Sequence, residues 1–264
     1  MLQDKFQLEI INRLGFTKTP LVHSADLEKL KKLYLKYFGN NELAEQAMEV
    51  SHNNPKDNRG LEIHQEIVRI LEASFNEKFE NFSFLASHFV VKKGQNNQSF
   101  QIHQDWNVVD EENYYNYQVW IPLALSYPEN GGICFIPESH LFYKNLRSGS
   151  FGIPNIPISE NIEKYLSYLR LLPTEAAIFF SKTFHGSFMN SSAQDRVAVL
   201  VNIIQEKSKP LYFHRSDNEL EAYQFETDSI FKNLPRLEKG EQVLGEKIDF
   251  ERSLNNYDLE TITE

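Results

Sequence analysis

The sequence predicts a mainly β fold with helical cover, built on a double-stranded β-helix, a jelly roll of cupin-like form. Three observations carry that reading. The long helical patterns lie within residues 1–80. From residue 82 short runs of aromatic and β-branched residues alternate with turn signals. A run of eight mostly apolar residues, Val197 to Ile204, closes the region. Several short strands preceded by helices point to an antiparallel sandwich or barrel, whose mouth can seat a ligand between two sheets.

The elements follow in order. Residues 5–23 read as a short helix or strand, Gly15-Phe16, and an apolar stretch to Val22. Ser24 is placed to cap a helix over about 25–38, with Leu27, Leu30, Leu33, Tyr34 and Tyr37 on one face. Residues 50–60 form a polar loop. A second helix over about 61–77 buries Ile63, Ile67, Ile70, Leu71 and Phe75. His52 and His64 read as surface or helix-face residues. Strands follow at 82–91, 99–103 and 117–125, and Pro122 in the last suggests an edge or a bulge. The turn Asn130-Gly131-Gly132 leads to a strand at 133–136. Residues 141–170 read as an insert with a Gly/Pro loop and a short helix near 159–169. Strands resume at Leu171-Leu172, 176–180 and 197–204. One domain of 264 residues is expected: a helical N-terminal region over residues 1–80, a jelly-roll core of about 82–214 and an acidic segment 215–264.

Composition narrows the function. Apolar residues make up 41% and aromatic residues 13%, a globular balance. The formal charge is −10, which disfavours nucleic acid or an anionic membrane as partner. The last fifty residues hold thirteen acids against six bases, so most of the imbalance sits there. The single cysteine, Cys134, allows no intrachain disulfide and fits a reducing compartment. No secretory signal and no membrane-length apolar run is visible. A cytoplasmic monomer or homodimer acting on a small molecule is expected.

Chemistry concentrates in Phe100-Gln101-Ile102-His103-Gln104-Asp105-Trp106. At the strand period of two, His103 and Asp105 project to one side and can grip one divalent metal. His185, in Phe184-His185-Gly186-Ser187, is the candidate third ligand. Two imidazoles and a carboxylate form the facial triad of non-haem Fe(II) oxygenases, which leaves positions open for co-substrate and O2. A His-x-Asp tripeptide alone is weak support, and most such pairs are surface or hydrogen-bonded residues.

Five features in order resemble the phytanoyl-CoA dioxygenase family of Fe(II)/2-oxoglutarate-dependent oxygenases. They are His103-Gln104-Asp105; Trp120 within Gln118-Val119-Trp120-Ile121; Asn130-Gly131-Gly132 through Pro137-Glu138-Ser139-His140; His185-Gly186-Ser187 with Asn190; and Arg196, eleven residues after His185. They span about half the chain. One departure is Glu138, where the family usually has glycine. The resemblance implies Fe(II) held by His103, Asp105 and His185. It implies that Arg196 grips the distal carboxylate of 2-oxoglutarate, with Ser187 adding a hydroxyl donor and Trp120 forming a wall. An ion pair with Asp195 is the alternative role for Arg196. His88 and Lys92 are further candidates, because the family often places contacts on that strand. Asn190 is expected to cap the loop after the ligand strand, and His140 to hydrogen-bond a loop.

The implied activity is hydroxylation of a small polar metabolite (an amino acid, a biosynthetic intermediate, a sugar or a phosphonate) with release of succinate and CO2. The retained Asp105 favours hydroxylation over halogenation. Trp106, Asn107, Tyr114, Tyr115, Gln118 and Arg147 are candidate substrate contacts. Desaturation, epoxidation or cyclisation by the same oxidant is one alternative. A non-catalytic metal- or ligand-binding jelly roll is another.

Overall fold

The computed structural model describes residues 1–39, 48–50, 59–142, 145–150, 152–216, 219–233 and 244–249. His52 and most of the expected loop at 50–60 lie outside them. The N-terminal elements are α1 (Lys5–Leu14), β1 (Phe16–Pro20), α2 (Ser24–Phe38), β2 (Met48–Val50) and α3 (Arg59–Asn76). Then come β3 (Phe82–Lys92), β4 (Phe100–His103), β5 (Asn116–Pro122), β6 (Ile133–Phe135) and α4 (Ser139–Phe142). After them run β7 (Asn155–Ile156), α5 (Glu160–Glu163), β8 (Ser167–Tyr168), β9 (Glu175–Phe180), β10 (His185–Ser187) and β11 (Arg196–Gln205). The chain closes with β12 (Leu211–Ser216), β13 (Glu219–Gln224) and β14 (Glu246–Ile248).

Two sheets face each other. The larger has six strands in the order β1-β9-β5-β11-β3-β2, and the smaller five, β7-β4-β10-β6-β8. All their pairings are antiparallel. Strand alternation in β11 explains how both faces of the large sheet are used. Val197, Val199, Val201 and Ile203 point outward into a core shared with α1, α2 and α3. Ala198 and Leu200 point inward, beside Trp120, Phe179 and Phe135 between the sheets. The helices present their apolar stripes to the outer face, with Leu27, Leu30, Ile63, Ile67 and Phe75 all buried.

The fold class agrees with the sequence reading, with local differences. The cap of α2 is His23, and Ser24 is already helical. Strand β5 lies inside the sheet, and Pro122 is its last residue, where a missing N–H costs no interior ladder bond. The expected helix near 159–169 is a single turn, α5, followed by β8. Leu171 makes an isolated bridge with Ser126 and no strand. The acidic end of the chain contributes a third sheet, β12-β13-β14. Tyr212, Tyr223, Phe225 and Ile230 from this region pack on Leu85, Val109 and Ile204 of the core. No helix among the described residues is long and apolar enough to cross a membrane.

Two backbone and charge features are specific to this chain. Gly131 has φ +74, as its turn requires, and Glu138 has φ +64, in the left-handed region that favours glycine. Arg147 is fully buried and is a strut. Its guanidinium grips Glu111 at 2.7 and 2.8 Å, and donates to Asp105 O at 2.6 Å and Asn145 O at 3.0 Å. Sequence position suggested a substrate contact for Arg147, but its five-donor fork is spent on holding the loop after β4 to the insert.

Glu138→Gly should raise stability to urea by about 0.5 to 1 kcal/mol, because a side chain in the left-handed region is strained. Arg147→Met should cost about 3 kcal/mol in the same assay, since Glu111 is left charged and buried. Adding Glu111→Gln to that variant should recover some of the loss.

Candidate active site

Strands β4 and β10 are neighbours, and His185 is the register partner of His103. Gly186 makes this closeness possible. A Cβ there would lie 2.7 Å from Phe100 O and 2.9 Å from Gln101 O, so any larger residue would push the strands apart. Asp105 lies just past β4, its backbone N–H bonded to Ser181 O at 2.9 Å. One ligand atom from each of His103, Asp105 and His185 falls within 4.8 Å of the others. His103 Nε2 is 3.6 Å from Asp105 Oδ1, and His185 Nε2 is 3.7 Å from Asp105 Oδ2.

The donor set suits a divalent metal. His103 Nδ1 lies 3.0 Å from Gln101 O, and His185 Nδ1 lies 2.9 Å from Thr183 O. Each Nδ1 therefore carries the proton and donates, which leaves both Nε2 lone pairs facing Asp105. Burial and the neighbouring His103 push the His185 pKa down to about 4, so its ring is neutral at pH 7. Burial pushes Asp105 up, but His185 and His103 outweigh it and hold the carboxyl at about 2. Asp105 Oδ2 is buried with no hydrogen-bond partner. Two imidazoles and one anionic oxygen donor, converging and under-bonded, match a hard-to-borderline divalent ion such as Fe(II).

A cleft of about 330 Å³ opens beside the triad. His88, Trp106, Gln118, Trp120, Ser187 and Arg196, all singled out in the sequence, line it together with His103, Asp105 and His185. Arg196 is buried, and its Nε and Nη1 have no hydrogen-bond partner. Its guanidinium carbon sits 5.1 Å from the centre of the Trp120 ring. Burial lowers its pKa to about 10, so it stays charged at pH 7. Asp195, the alternative partner, instead pairs with Lys93 at 3.0 Å.

Lys92, the register partner of Arg196, is buried behind the cleft wall. Its Nζ donates to Ser187 Oγ at 2.8 Å, to Ser187 O at 3.1 Å and to Phe188 O. Burial and the nearby Arg196 lower its pKa to about 7. Because Ser187 Oγ accepts from Lys92, its own proton is left for another acceptor.

Four sequence candidates stand elsewhere. Asn107 is buried and exchanges bonds with Arg147, its Oδ1 accepting from Arg147 N at 2.6 Å. Tyr115 is half exposed, stacks on Tyr117 at 5.9 Å and, with Tyr114, lines a separate hollow. Arg147 is the strut described above. His64 binds Ser87 Oγ at 2.9 Å on α3, and His140 Nε2 binds Asn12 O at 3.0 Å; neither lies among the residues lining the cleft. Asn190 bonds Lys92 O and Gln194 O, closing the loop after β10. Sequence reasoning missed Asn202, Leu85, Val108, Ile153 and Ile230, which also line the cleft. Asn202 carried a signal, as the lone amide within the apolar run of β11.

Known structures share this architecture at low identity. HygX from Streptomyces hygroscopicus, solved with nickel and 2-oxoglutarate, is 11% identical over 77% of this chain and 87% of its own, with a TM-score of 0.56. The epimerase SnoN of nogalamycin biosynthesis, solved with Fe3+, α-ketoglutarate and nogalamycin RO, is 14% identical over 78% and 85%, with a TM-score of 0.55. EvdO2 from Micromonospora carbonacea var. aurantiaca, complexed with 2-oxoglutarate, is 15% identical over 78% and 93%, with a TM-score of 0.52. At these identities the likeness speaks for the fold. No curated protein matches in sequence. The model of the phytanoyl-CoA dioxygenase family matches residues 38–198, well over half of the 264, and so includes all three triad residues and Arg196. The chain therefore belongs to the phytanoyl-CoA dioxygenase (PhyH) family.

Proposed function

We propose that this chain is an Fe(II)- and 2-oxoglutarate-dependent oxygenase that hydroxylates a small organic substrate in the cleft. One observation carries the proposal: a buried guanidinium, Arg196, with two unpartnered N–H groups in the cleft that holds the His-Asp-His triad. An isolated buried cation costs several kcal/mol, so the site is built for an anion. A planar fork suits a carboxylate best.

The roles follow from position. His103, Asp105 and His185 would hold the metal. Arg196 would bind the distal carboxylate of 2-oxoglutarate, with the Ser187 hydroxyl as a further donor. Lys92 fixes the direction of that hydroxyl without lining the cleft itself. Trp120 packs on the guanidinium and keeps water from it. When bound, Fe(II) with 2-oxoglutarate and O2 supplies oxidative decarboxylation to succinate and CO2, coupled to oxidation of a substrate C–H bond. Trp106 and Ile230 line the same cleft and would exclude water from the substrate. The sequence suggested a small polar metabolite, whereas Leu85, Val90, Val108, Ile133, Leu200 and Ile230 make much of the wall apolar. SnoN, an epimerase, favours one second reading, epimerisation in the same cleft. Hydroxylation adds an oxygen atom to the product, and epimerisation leaves its mass unchanged.

Anaerobic titration of the protein with Fe(II) and then 2-oxoglutarate should give the visible charge-transfer band of an iron(II)–oxoacid chelate. Asp105→Ala should abolish it. Arg196→Ala should weaken 2-oxoglutarate binding by about a hundredfold. Iron binding without a band in wild type would move the non-catalytic binding protein to first place. Lys92→Met should weaken 2-oxoglutarate binding by about five- to tenfold and leave Fe(II) affinity unchanged. That effect should disappear in a Ser187→Ala background, because Lys92 acts through Ser187.

A further inference from the structure

The cleft has a second anchoring point that the triad and Arg196 do not use. Gln118 on β5 and Asn202 on β11 are register partners. Both side chains line the cleft, and both residues are more than nine-tenths buried. Gln118 Oε1 and Asn202 Oδ1 are buried with no hydrogen-bond partner. A buried amide oxygen left unpaired is costly, and here two stand side by side in the cleft wall, where a ligand can satisfy both.

Their position supplies one. Arg196 and Asn202 lie six residues apart on β11, roughly 20 Å at the strand rise, and face the same side of the sheet. Beside Asn202 the pairing with β3 is irregular: Asn202 pairs with Ala86 and Ile203 with Phe84, so Leu85 is the extra residue, and it too lines the cleft. Gln118 is paired on its other side with Phe179, whose ring lies 4.6 Å from that of His185. The amide pair thus sits beside the aromatic floor of the metal centre, six residues along β11 from Arg196. Co-substrate gripped by Arg196 would occupy one end, and the amides face what occupies the other.

The charge of the lining limits what that occupant is. Among the described residues that line the cleft, Asp105 is the only acid and Arg196 the only lysine or arginine. Both are committed once metal and 2-oxoglutarate are bound. Away from His88, a phosphate, carboxylate or ammonium entering the rest of the cleft would meet Leu85, Ala86, Val108, Leu200 and Ile230 with no countercharge. Amides, which donate and accept, match a neutral group that does the same.

We propose that Gln118 and Asn202 form the substrate anchor, and that the substrate is an uncharged, largely apolar molecule held there by a carboxamide, lactam or hydroxyl group. The proposal rests on the oxygenase reading and adds the substrate class to it.

Both tryptophans of the chain, Trp106 and Trp120, line the cleft, so intrinsic fluorescence reports its occupancy. The anaerobic protein, loaded with Fe(II) and saturating 2-oxoglutarate, is titrated with octanamide, octanoate and octylamine. Octanamide should quench with an affinity at least about tenfold above that of either charged probe. The Gln118→Leu, Asn202→Leu double variant should lose that preference. Gln118→Glu should turn the preference toward octylamine, a gain that a misfolded variant cannot produce. Failure of octanamide to bind, a charged probe that binds equally well in wild type, or a preference that survives the double substitution overturns the proposal. Absence of the charge-transfer band in wild type overturns the oxygenase reading instead, and is read separately from the fluorescence.

Discussion

The close pairing of β10 with β4 is the constraint on which the site depends. His185 reaches the triad because its strand runs directly beside the strand of His103. The strands can approach because Gly186 presents no side chain to Phe100 O and Gln101 O. Side chains 82 residues apart in sequence, His103 and His185, are thereby held by paired strands and not by flexible loops. The two imidazoles are oriented in turn by the carbonyls of Gln101 and Thr183, each two residues before its histidine. The geometry of the triad is therefore written into main-chain structure, the least adaptable component of a protein, and ligands so pre-organised would need little rearrangement to hold a metal.

A second constraint runs across the large sheet. Arg196 and Lys92 place two cationic side chains on adjacent strands in one buried region. Apolar surroundings disfavour both, and each disfavours the other, which is why Lys92 falls to about 7 while Arg196 keeps its charge. The protein uses the two differently. Lys92 spends its donors on Ser187 and Phe188, within the chain. Arg196 keeps two nitrogens, Nε and Nη1, unpartnered and facing the cleft, where a ligand can satisfy them. Strain of this kind, several kcal/mol in a protein stable by about five to fifteen, persists because the strands around it are packed on both faces.

Much of this was legible in the sequence, because the signals were local and periodic. The helices α2 and α3 followed from apolar spacing, and β3, β4, β9 and β11 from aromatic and β-branched runs. The triad and Arg196 followed from a fixed order of short motifs. Other features depend on contacts that no local pattern encodes. The third sheet is built from short strands rich in polar residues, such as Glu219–Gln224, whose few apolar side chains matter only once packed on Leu85 and Ile204. Arg147 and Asn107 were singled out as substrate contacts, but the fold shows that they bond each other and that Arg147 also grips Glu111. Tyr115, two residues from Tyr117, falls on the outside because strand period alone does not say which face a boundary residue takes. Glu138 shows the reverse: the departure from glycine was visible, and its positive φ explains why glycine suits that turn.

Strand β11 unites these elements, because its inward residues run from charge to neutrality. Arg196 begins it, Ala198 and Leu200 follow, and then come Asn202 and the apolar Ile204. One strand thus measures the distance between an anion site and a neutral hydrogen-bonding site, with the triad on the opposite sheet between the two faces. The order matters energetically. With Arg196 unpaired, the cleft carries a desolvated positive charge, and an apolar molecule entering it would bury that charge further. With the anion in place the same wall becomes nearly neutral, and apolar contact gains its full value of about 25 cal/mol per Å². With the roles proposed for Arg196 and the amide pair, the arrangement favours co-substrate before substrate. Selectivity against charged molecules then needs no repulsive residue, since the absence of a countercharge in a dry cleft is itself the barrier.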